Sequence, residues 1–201
     1  NDLNAAKGYV GVMADGGTDT ERFQTKVESI LDDLVTIGNK AQSTEQVLEA
    51  DPIANEATPV SVIVTDAVES VESAYGSVET EISVPESPAV RVNPEVLHSV
   101  VEEVIENAAR HSDGAAVTIT YDIDQPALTI ADDGPGIPDH EISVLENAQE
   151  TDLEHGSGLG LWLIKWGTES FGGSVSFDTH NGTEVEIEFP SSLVEELQTD
   201  R

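Results

Sequence analysis

The sequence predicts an α+β fold in which a helical hairpin precedes a two-layer sandwich of helices and strands. Apolar residues recur at helical spacing through the first 50 residues, and helix and strand patterns alternate after residue 60. In the C-terminal half, consecutive strand patterns are separated by short polar turns, which is typical of antiparallel hairpins. We therefore expect a sandwich rather than a doubly wound parallel sheet.

Residues 1–50 are predicted to form the helical hairpin. The first helix ends near residue 14, where a Gly-containing turn breaks the pattern, and the second helix covers about residues 20–49. A hairpin of this size buries little apolar surface alone, so we expect it to pair with another element. Its apolar positions are Leu3, Ala6, Val10 and Met13 in the first helix and Phe23, Val27, Ile30, Leu31, Leu34 and Ile37 in the second.

The remaining chain is predicted to hold a linker at 51–59, a main domain at 60–190 and an acidic tail at 191–201. The linker has two prolines and no apolar periodicity. In the main domain, Asn93 is expected to cap a helix that has Pro94 in its first turn, and residues 137–155 are expected to be irregular. The predicted strands are 60–64, 80–84, 89–92, 116–121, 127–131, 174–178 and 184–189, and the predicted helices are 66–75, 93–110 and 159–170.

The charge is strongly negative: 40 acidic residues against 8 basic ones give a net charge of −32. Such a field repels nucleic acid and anionic membranes, so neither is an expected partner. The acids are spread over periodic segments rather than gathered in one tail, which favours adaptation to molar salt, where the Debye length is about 3 Å. The sequence has no cysteine, which excludes disulfides and thiol chemistry. It also has neither a long apolar run nor a secretory signal.

The predicted helix 93–110 carries the first candidate site. Glu103, Asn107 and Arg110 recur at i, i+4 and i+7, with His111 beside them. Asn107 can offer an oxygen to Mg²⁺, and Glu103 can orient or deprotonate a water or hydroxyl near that metal. Arg110 and His111 can meet phosphate oxygens. The alternative is an ordinary charged, solvated face of an amphipathic helix.

The second candidate site directly follows a predicted strand and reads Asp-Asp-Gly-Pro-Gly-Ile. Asp132 stands at the strand end, where its carboxylate can accept a hydrogen bond from an exocyclic amine. Gly134 and Gly136 lack a Cβ, so the backbone before Ile137 can approach a flat ligand closely. The alternative is a simple Gly-Pro-Gly turn.

The third candidate site is a glycine-rich loop that opens the predicted helix 159–170. Backbone N–H groups at a helix N-terminus favour anions, because they point at the ligand along the helix dipole. The spacing matches neither the dinucleotide fingerprint nor the P-loop. Its residues are Gly156, Ser157, Gly158, Leu159, Gly160 and Leu161.

In this order the three segments resemble the N, G1 and G2 boxes of the GHKL ATPases, a family of gyrases, heat-shock chaperones, histidine kinases and mismatch-repair proteins. The resemblance covers about residues 60–190. It implies the Bergerat fold, a two-layer α/β sandwich with ATP and Mg²⁺ beneath a lid. It further implies that Asn107 holds Mg²⁺, that Asp132 reads the adenine amino group, that the G2 loop wraps the phosphates, and that Thr183 supports Asp132. For Glu103 it leaves two roles open: the base for water attack in gyrase-like relatives, or in kinases a residue that tunes the metal or receives the proton of the phosphoacceptor histidine.

Within that family, the hairpin followed by the ATPase domain resembles sensor histidine kinases. The first nine residues resemble the stretch just after the phosphoacceptor histidine in kinases of halophilic archaea, so that histidine is expected upstream of Asn1. The resemblance implies a cytoplasmic kinase that dimerises through the hairpin and passes the phosphoryl group to a response-regulator receiver domain. A hydrolytic GHKL ATPase and a non-catalytic nucleotide-binding scaffold are the alternatives. The sequence departs from many kinases in lacking the aromatic F box between G1 and G2, because residues 138–155 contain no phenylalanine.

Overall fold

The computed structural model describes residues 31, 35, 38, 40–76, 78–111, 116–147 and 159–196. The chain divides into two compact units, residues 1–42 and 43–201. In the first unit, every described residue is helical, in agreement with the predicted second helix. The predicted first helix and most of the apolar stripe of the hairpin lie outside the described residues.

A five-stranded mixed sheet forms one layer of the second unit, in the order β2-β4-β5-β7-β6. The central pairs are antiparallel, and only β2 runs parallel to its neighbour β4. This sheet confirms the predicted α+β class. Its strands are β2 (Glu79–Ser83), β4 (Ala116–Asp122), β5 (Ala127–Asp132), β6 (Ser174–Asp178) and β7 (Thr183–Glu188).

A second, three-stranded antiparallel sheet has the order β1-β3-β8. Its strands are β1 (Ile53–Pro59), β3 (Pro88–Val92) and β8 (Val194–Glu196), and a 3₁₀ turn at Ser191–Leu193 precedes β8. Arg91 fastens this end of the chain, because its Nη2 donates to the Ser192 carbonyl at 3.0 Å and its Nε lies 3.1 Å from Glu195 Oε1.

In the described part of the second unit, four helices follow the helical residues 43–49: α1 (Val60–Tyr75), α2 (Pro94–His111), α3 (Asp139–Asn147) and α4 (Leu159–Ser170). Helix α2 packs against both α1 and α4 and also touches β5. The core lies between these helices and the five-stranded sheet, and Leu97, Ile119, Leu128 and Leu163 are among its fully buried side chains. Val47, in the helical segment 40–49, also belongs to this core.

Two predictions at the start of the domain are wrong. Residues 60–64, predicted as a strand, form the first turn of α1, whose buried residues continue one helical stripe: Val60, Ile63, Val64, Ala67, Val68 and Val71. The predicted linker 51–59 contains strand β1, which pairs with β3 between Ile53 and Val92 and between Thr58 and Val90. A register irregularity between those pairs removes the alternation that would have marked a strand in the sequence.

Two further predictions fail because tertiary contacts supply what the local pattern lacks. The irregular stretch 137–155 contains helix α3, whose Leu145 is buried and whose Ile142 packs against the core. The acidic tail 191–201 contains β8, which pairs with β3 through Glu196–Pro88, Glu195–Ala89 and Val194–Val90. By contrast, α4 and β6 have their predicted bounds.

Candidate nucleotide-binding site

Asn93 fixes the beginning of α2. Its side-chain oxygen accepts a hydrogen bond from the Glu95 N–H at 3.0 Å, as the predicted N-cap requires. Its side-chain nitrogen donates to the Asp51 carbonyl at 2.9 Å, and its backbone N–H donates to the Pro52 carbonyl at 2.9 Å. The helix that carries the first candidate site is therefore anchored to the strand β1 side of the domain.

Glu103 and Asn107 lie one turn apart on α2, at the edge of its buried face. The Glu103 side chain is only 4% exposed and the Asn107 residue is half-buried. A buried carboxylate needs hydrogen-bond or ionic partners, and Glu103 has at least one such interaction. Two hard oxygen-bearing side chains in a sheltered position fit a Mg²⁺ site in which water and nucleotide phosphates complete the coordination.

Arg110 is held by residues of α1 and α2. Its Nη2 pairs with Glu106 Oε1 on the preceding turn and donates to the Tyr75 hydroxyl at 3.0 Å, and its guanidinium lies 6.0 Å from the centroid of the Tyr75 ring. The Tyr75 hydroxyl in turn donates to Glu106 Oε1 at 2.5 Å. The structure therefore places Arg110 in a polar cluster with Tyr75 and Glu106 at the protein surface. His111 is the last residue of α2, and its side chain lies outside the described part of the chain.

Asp132 ends strand β5, as the sequence predicts. Its Oδ1 accepts a hydrogen bond from the Gly134 N–H at 2.7 Å, which folds the start of the following loop around the carboxylate. Among the described residues, the hydrogen bonds of this side chain involve only Oδ1. Thr183, the first residue of β7, pairs with Asp132 across the sheet.

The turn between β6 and β7 supports the loop that follows Asp132. Gly182 has φ of +91°, and a Cβ built on it would lie 1.9 Å from the Asp132 carbonyl oxygen. Gly136 has φ of +79°, and its Cβ would lie 3.1 Å from the Thr179 carbonyl oxygen and 3.2 Å from that of Gly182. Both glycines are therefore needed where two backbones meet. We expected Gly136 to leave room for a flat ligand. On the side where its Cβ would stand, that room is filled instead by the backbone of the β6–β7 turn.

Asp133 has a separate role that the sequence did not indicate. Its Oδ1 accepts a hydrogen bond from the Ala116 N–H at 3.0 Å, at the first residue of β4. This bond joins the loop after β5 to the strand that follows α2. The adjacent acids Asp132 and Asp133 thus make different contacts: Asp132 accepts from the Gly134 N–H within its own loop, and Asp133 accepts from the first residue of β4.

The same turn contains an ion pair between His180 and Asp178. The His180 Nδ1 lies 2.7 Å from Asp178 Oδ1, and the His180 N–H donates to the same oxygen at 2.9 Å. The backbone hydrogen bond and then the side-chain bond lower the pKa of Asp178. The side-chain bond to Asp178 raises the pKa of His180, with a smaller contribution from the charge of Asp139 at the start of α3.

Helix α4 begins at Leu159, where the glycine-rich loop ends. Gly160 and Leu161 are buried in its first turn, while Gly156, Ser157 and Gly158 lie outside the described residues. A Cβ on Gly167 would lie 2.4 Å from Val100 Cγ2, so a glycine is needed where α4 crosses α2. The described part of the third candidate site, Leu159 to Leu161, therefore begins a helix that packs directly against α2, which carries the first candidate site.

Helix α3 is fastened to α4 by Lys165. The Nζ of Lys165 donates to the Leu145 carbonyl oxygen at 2.8 Å and lies 5.6 Å from the centroid of the Trp162 ring. Leu145 itself is buried. Sequence reasoning missed this contact and helix α3. Two signals could have found the helix, namely the acids Asp139 and Glu141 in its first turn and the i, i+3 spacing of Ile142 and Leu145.

The topology brings the candidate segments to one end of the five-stranded sheet. Strand β4 begins beside the end of β5, because Val117 pairs with Asp132, and α2 ends shortly before β4 begins. At the opposite end, a Cβ on Gly173 would lie 2.6 Å from the Glu188 carbonyl oxygen. Helix α4 ends just before Gly173 and rises about 18 Å over its 12 residues, so its N-terminus lies well away from its Gly173 end.

Comparison with known proteins agrees with this arrangement. Residues 92–193 match the family described as histidine kinase-, DNA gyrase B-, and HSP90-like ATPase. A probable sensor histidine kinase of Mycobacterium tuberculosis (strain CDC 1551 / Oshkosh) is 23% identical over 180 residues, which cover 85% of this chain and 48% of that protein. The chain thus spans about half the length of this relative.

Two solved structures have the same fold. A mycobacterial sensor histidine kinase, MprB, aligns with a TM-score of 0.57 and 27% identity, covering 71% of this chain and 99% of that one. The histidine kinase AdeS of Acinetobacter baumannii aligns with a TM-score of 0.63 and 16% identity, covering 99% of this chain and 96% of that one.

The chain belongs to the histidine kinase-, DNA gyrase B-, and HSP90-like ATPase family. It carries an ATP-binding catalytic domain of the sensor histidine kinase type, with the GHKL fold that the sequence predicts. In the part of the chain that is described, no helix is long and apolar enough to cross a bilayer.

Proposed function

We propose that this domain binds Mg-ATP at the Asp132 end of the sheet and supplies the γ-phosphoryl group to a histidine outside the described residues. The observation that carries the proposal is the carboxylate of Asp132. One oxygen is occupied by the Gly134 N–H and the other is available to accept from the adenine amino group. Gly182 and Thr183 hold the strand end in place beneath it.

The phosphate end of the nucleotide is assigned to α2 and the start of α4. Asn107 and Glu103 are the proposed Mg²⁺-associated residues, and the described part of the chain contains no cluster of three or more His, Cys, Asp or Glu side chains able to hold a metal by themselves. Such a site fits Mg²⁺, which keeps several waters and binds through substrate phosphates. The metal would neutralise charge during phosphoryl transfer, while the protein positions the reacting groups.

The complete protein is proposed to act as a homodimeric, cytoplasmic sensor kinase that passes its phosphoryl group to a response-regulator receiver domain. Leu31 and Val35 support dimerisation through the hairpin, because both lie on a helix and are 51% and 61% exposed. We also propose that the phosphoacceptor histidine precedes Asn1 and that the protein belongs to a halophilic source, which its net charge of −32 supports. The proposed catalytic domain includes β1 and β8 as well as residues 60–190.

The binding proposal is tested with Asp132→Asn. The amide would present donors to the adenine amino group, so ATP binding measured by calorimetry should fall below detection while the circular dichroism and melting temperature stay near those of the wild type. Asp133→Asn is the matched control, because it changes the neighbouring acid whose carboxylate binds Ala116. A folded Asp132→Asn protein with unchanged ATP affinity would refute the site.

The kinase proposal is tested with γ-labelled ATP. The 201-residue chain should bind ATP without acquiring acid-labile phosphate, whereas a chain extended upstream to include the expected histidine should be labelled. Rapid release of inorganic phosphate by the short chain would favour the hydrolytic ATPase instead. An extended chain that binds ATP and dimerises but stays unlabelled would favour the non-catalytic scaffold.

A further inference from the structure

The cluster formed by Tyr75, Glu106 and Arg110 stands directly beside the proposed phosphate site. Arg110 follows Asn107 by three residues on α2, so the two side chains lie on neighbouring positions of one helix face. Glu106 and Arg110 side chains are only 17% and 29% exposed, so their pairing is screened less by salt than that of a fully exposed pair.

Within the described part of residues 43–196, Arg110 is the one Lys or Arg side chain that lies beside the proposed phosphate site. Between residues 43 and 196 the sequence contains three Lys or Arg residues: Arg91, Arg110 and Lys165. Arg91 binds Ser192 and Glu195 in the three-stranded sheet, and Lys165 binds the Leu145 carbonyl. A guanidinium is well suited to phosphate, since it offers several donors in a planar fork.

We propose that Glu106 and Tyr75 hold the Arg110 guanidinium toward α1, and that the Glu106 carboxylate competes with the ATP phosphates for this cation. The inference rests on the proposed function. Its basis is that Nη2 pairs with Glu106 and donates to Tyr75 of α1, while Tyr75 also donates to Glu106 and so keeps that carboxylate beside the guanidinium. Glu106 is then a positioning residue that lowers ATP affinity, because its carboxylate competes with phosphate for the same cation.

The test is Mg-ATP affinity measured at molar salt for Glu106→Gln, with Glu102→Gln as its control. Glu102 lies one turn earlier on α2 and loses the same charge, but it accepts from Ser70 and faces His98 Nδ1 at 3.7 Å rather than Arg110. We expect Glu106→Gln to tighten ATP binding about two- to fivefold, the range of a partly exposed ion pair. Glu102→Gln should leave the affinity unchanged.

A double-mutant cycle with Arg110→Ala separates the ion pair from the general effect of removing a negative charge. Arg110→Ala should weaken ATP binding, and Glu106→Gln should have no effect in that background. Tyr75→Phe, which keeps the ring but loses both hydroxyl contacts, should change affinity in the same direction as Glu106→Gln and by less.

Three results would overturn the inference. Weaker ATP binding by Glu106→Gln would mean that Glu106 aims Arg110 at the nucleotide instead of withholding it. If Glu106→Gln left the ATP affinity unchanged, or raised it equally with and without Arg110, Glu106 would not compete with phosphate for Arg110. Absence of ATP binding by the wild-type chain would overturn the proposed function as well. If the wild type binds ATP but Glu106 and Arg110 show no coupling in the mutant cycle, only the present inference is overturned.

Discussion

The Nζ of Lys165 on α4 donates a hydrogen bond to the carbonyl oxygen of Leu145 in the last turn of α3, across 2.8 Å. A cation at a helix C-terminus satisfies a carbonyl that has no partner within the helix and interacts favourably with the helix dipole. Leu145 is buried beside it. Helix α3 therefore has a polar attachment to α4 and an apolar one to the core.

Replacing Lys165 with Met should loosen α3 while leaving the rest of the domain stable. The change keeps the apolar stem but removes a charge-assisted hydrogen bond worth about 1 to 2 kcal/mol. Amide hydrogen exchange in residues 139–147 should accelerate about five- to thirtyfold, while exchange in β4 and β5 should not change. Lys165→Arg retains a charged donor and should restore most of the protection. Equal acceleration in all elements would show a global stability effect instead of a local attachment.

Replacing Gly182 with Ala should damage both stability and ATP binding. The added Cβ would lie 1.9 Å from the Asp132 carbonyl oxygen, so the strand end that presents the carboxylate must shift. Gly76→Ala is the matched control, because Gly76 has nearly the same φ of +90° but nothing within 4 Å of its Cβ position. That control should lose about 1 to 3 kcal/mol from backbone strain alone, measured by urea unfolding, because its φ of 90° and ψ of −174° lie in a region essentially restricted to glycine.

The two glycine variants distinguish the cost of backbone strain from the cost of a steric clash with Asp132. Gly182→Ala should lose clearly more stability than Gly76→Ala, and only Gly182→Ala should weaken ATP binding. Similar losses in the two proteins would mean that the turn yields without moving Asp132, and the proposed support of the adenine site by this turn would be wrong.

Asn107→Ala should weaken binding of Mg-ATP far more than binding of metal-free ATP. The carboxamide oxygen is the proposed Mg²⁺ contact, so its loss matters only when the metal is present. Calorimetric titrations with Mg²⁺ and with EDTA give the two affinities. Asn93→Ala serves as a control on the same helix, since it removes an N-cap remote from the site. Equal losses of affinity with and without metal would argue against the metal role of Asn107.

The His180–Asp178 pair predicts a pH window for the turn that supports Gly136. Because the pKa of His180 is raised above its ordinary value of 6.5, its stabilising effect is fully present below that pH and is lost as the pH rises through the raised value. Because the pKa of Asp178 is lowered from 3.8, its effect is present above that pH and is lost as the pH falls through the lowered value. Both groups therefore make their full contribution to stability between about pH 3.8 and pH 6.5.

An NMR titration of the His180 ring checks this prediction. Asp178→Asn should lower the pKa of His180 relative to the wild type, because the carboxylate that stabilises the imidazolium is gone. Asp124→Asn, which removes a carboxylate from the β4–β5 turn, should leave it unchanged. A His180 pKa that is the same in the wild type and Asp178→Asn would contradict the ion pair.

Stability should rise with salt concentration. A net charge of −32 on 201 residues disfavours the compact state by self-repulsion until counterions screen it. The melting temperature should increase from low millimolar to molar sodium chloride, and cooperative unfolding should disappear at the dilute end. An uncharged osmolyte at equal osmolality is the control, because it does not screen charge. A melting temperature that does not depend on salt would contradict the proposed halophilic adaptation.

The sequence by itself determined the fold class, the bounds of α4 and β6, the cap of α2 and the position of Asp132 at the end of a strand. These features depend on local signals: helical spacing, a side-chain cap and glycines at turns. The residue types of the candidate site could also be predicted, because an Asn-bearing helix, an Asp-x-Gly-x-Gly loop and a glycine-rich helix start follow one another in the order of the N, G1 and G2 boxes.

Only the tertiary structure decided what these elements contact. Strand β1 has an irregular register and β8 is acidic, and each becomes a strand because it pairs with β3. The branched run at the start of α1 is helical because its buried stripe continues along the helix onto the core, which overrides the β propensity of valine and isoleucine. Arg110 likewise meets Tyr75, 35 residues away in sequence, since no local pattern records which distant side chain a cation will find.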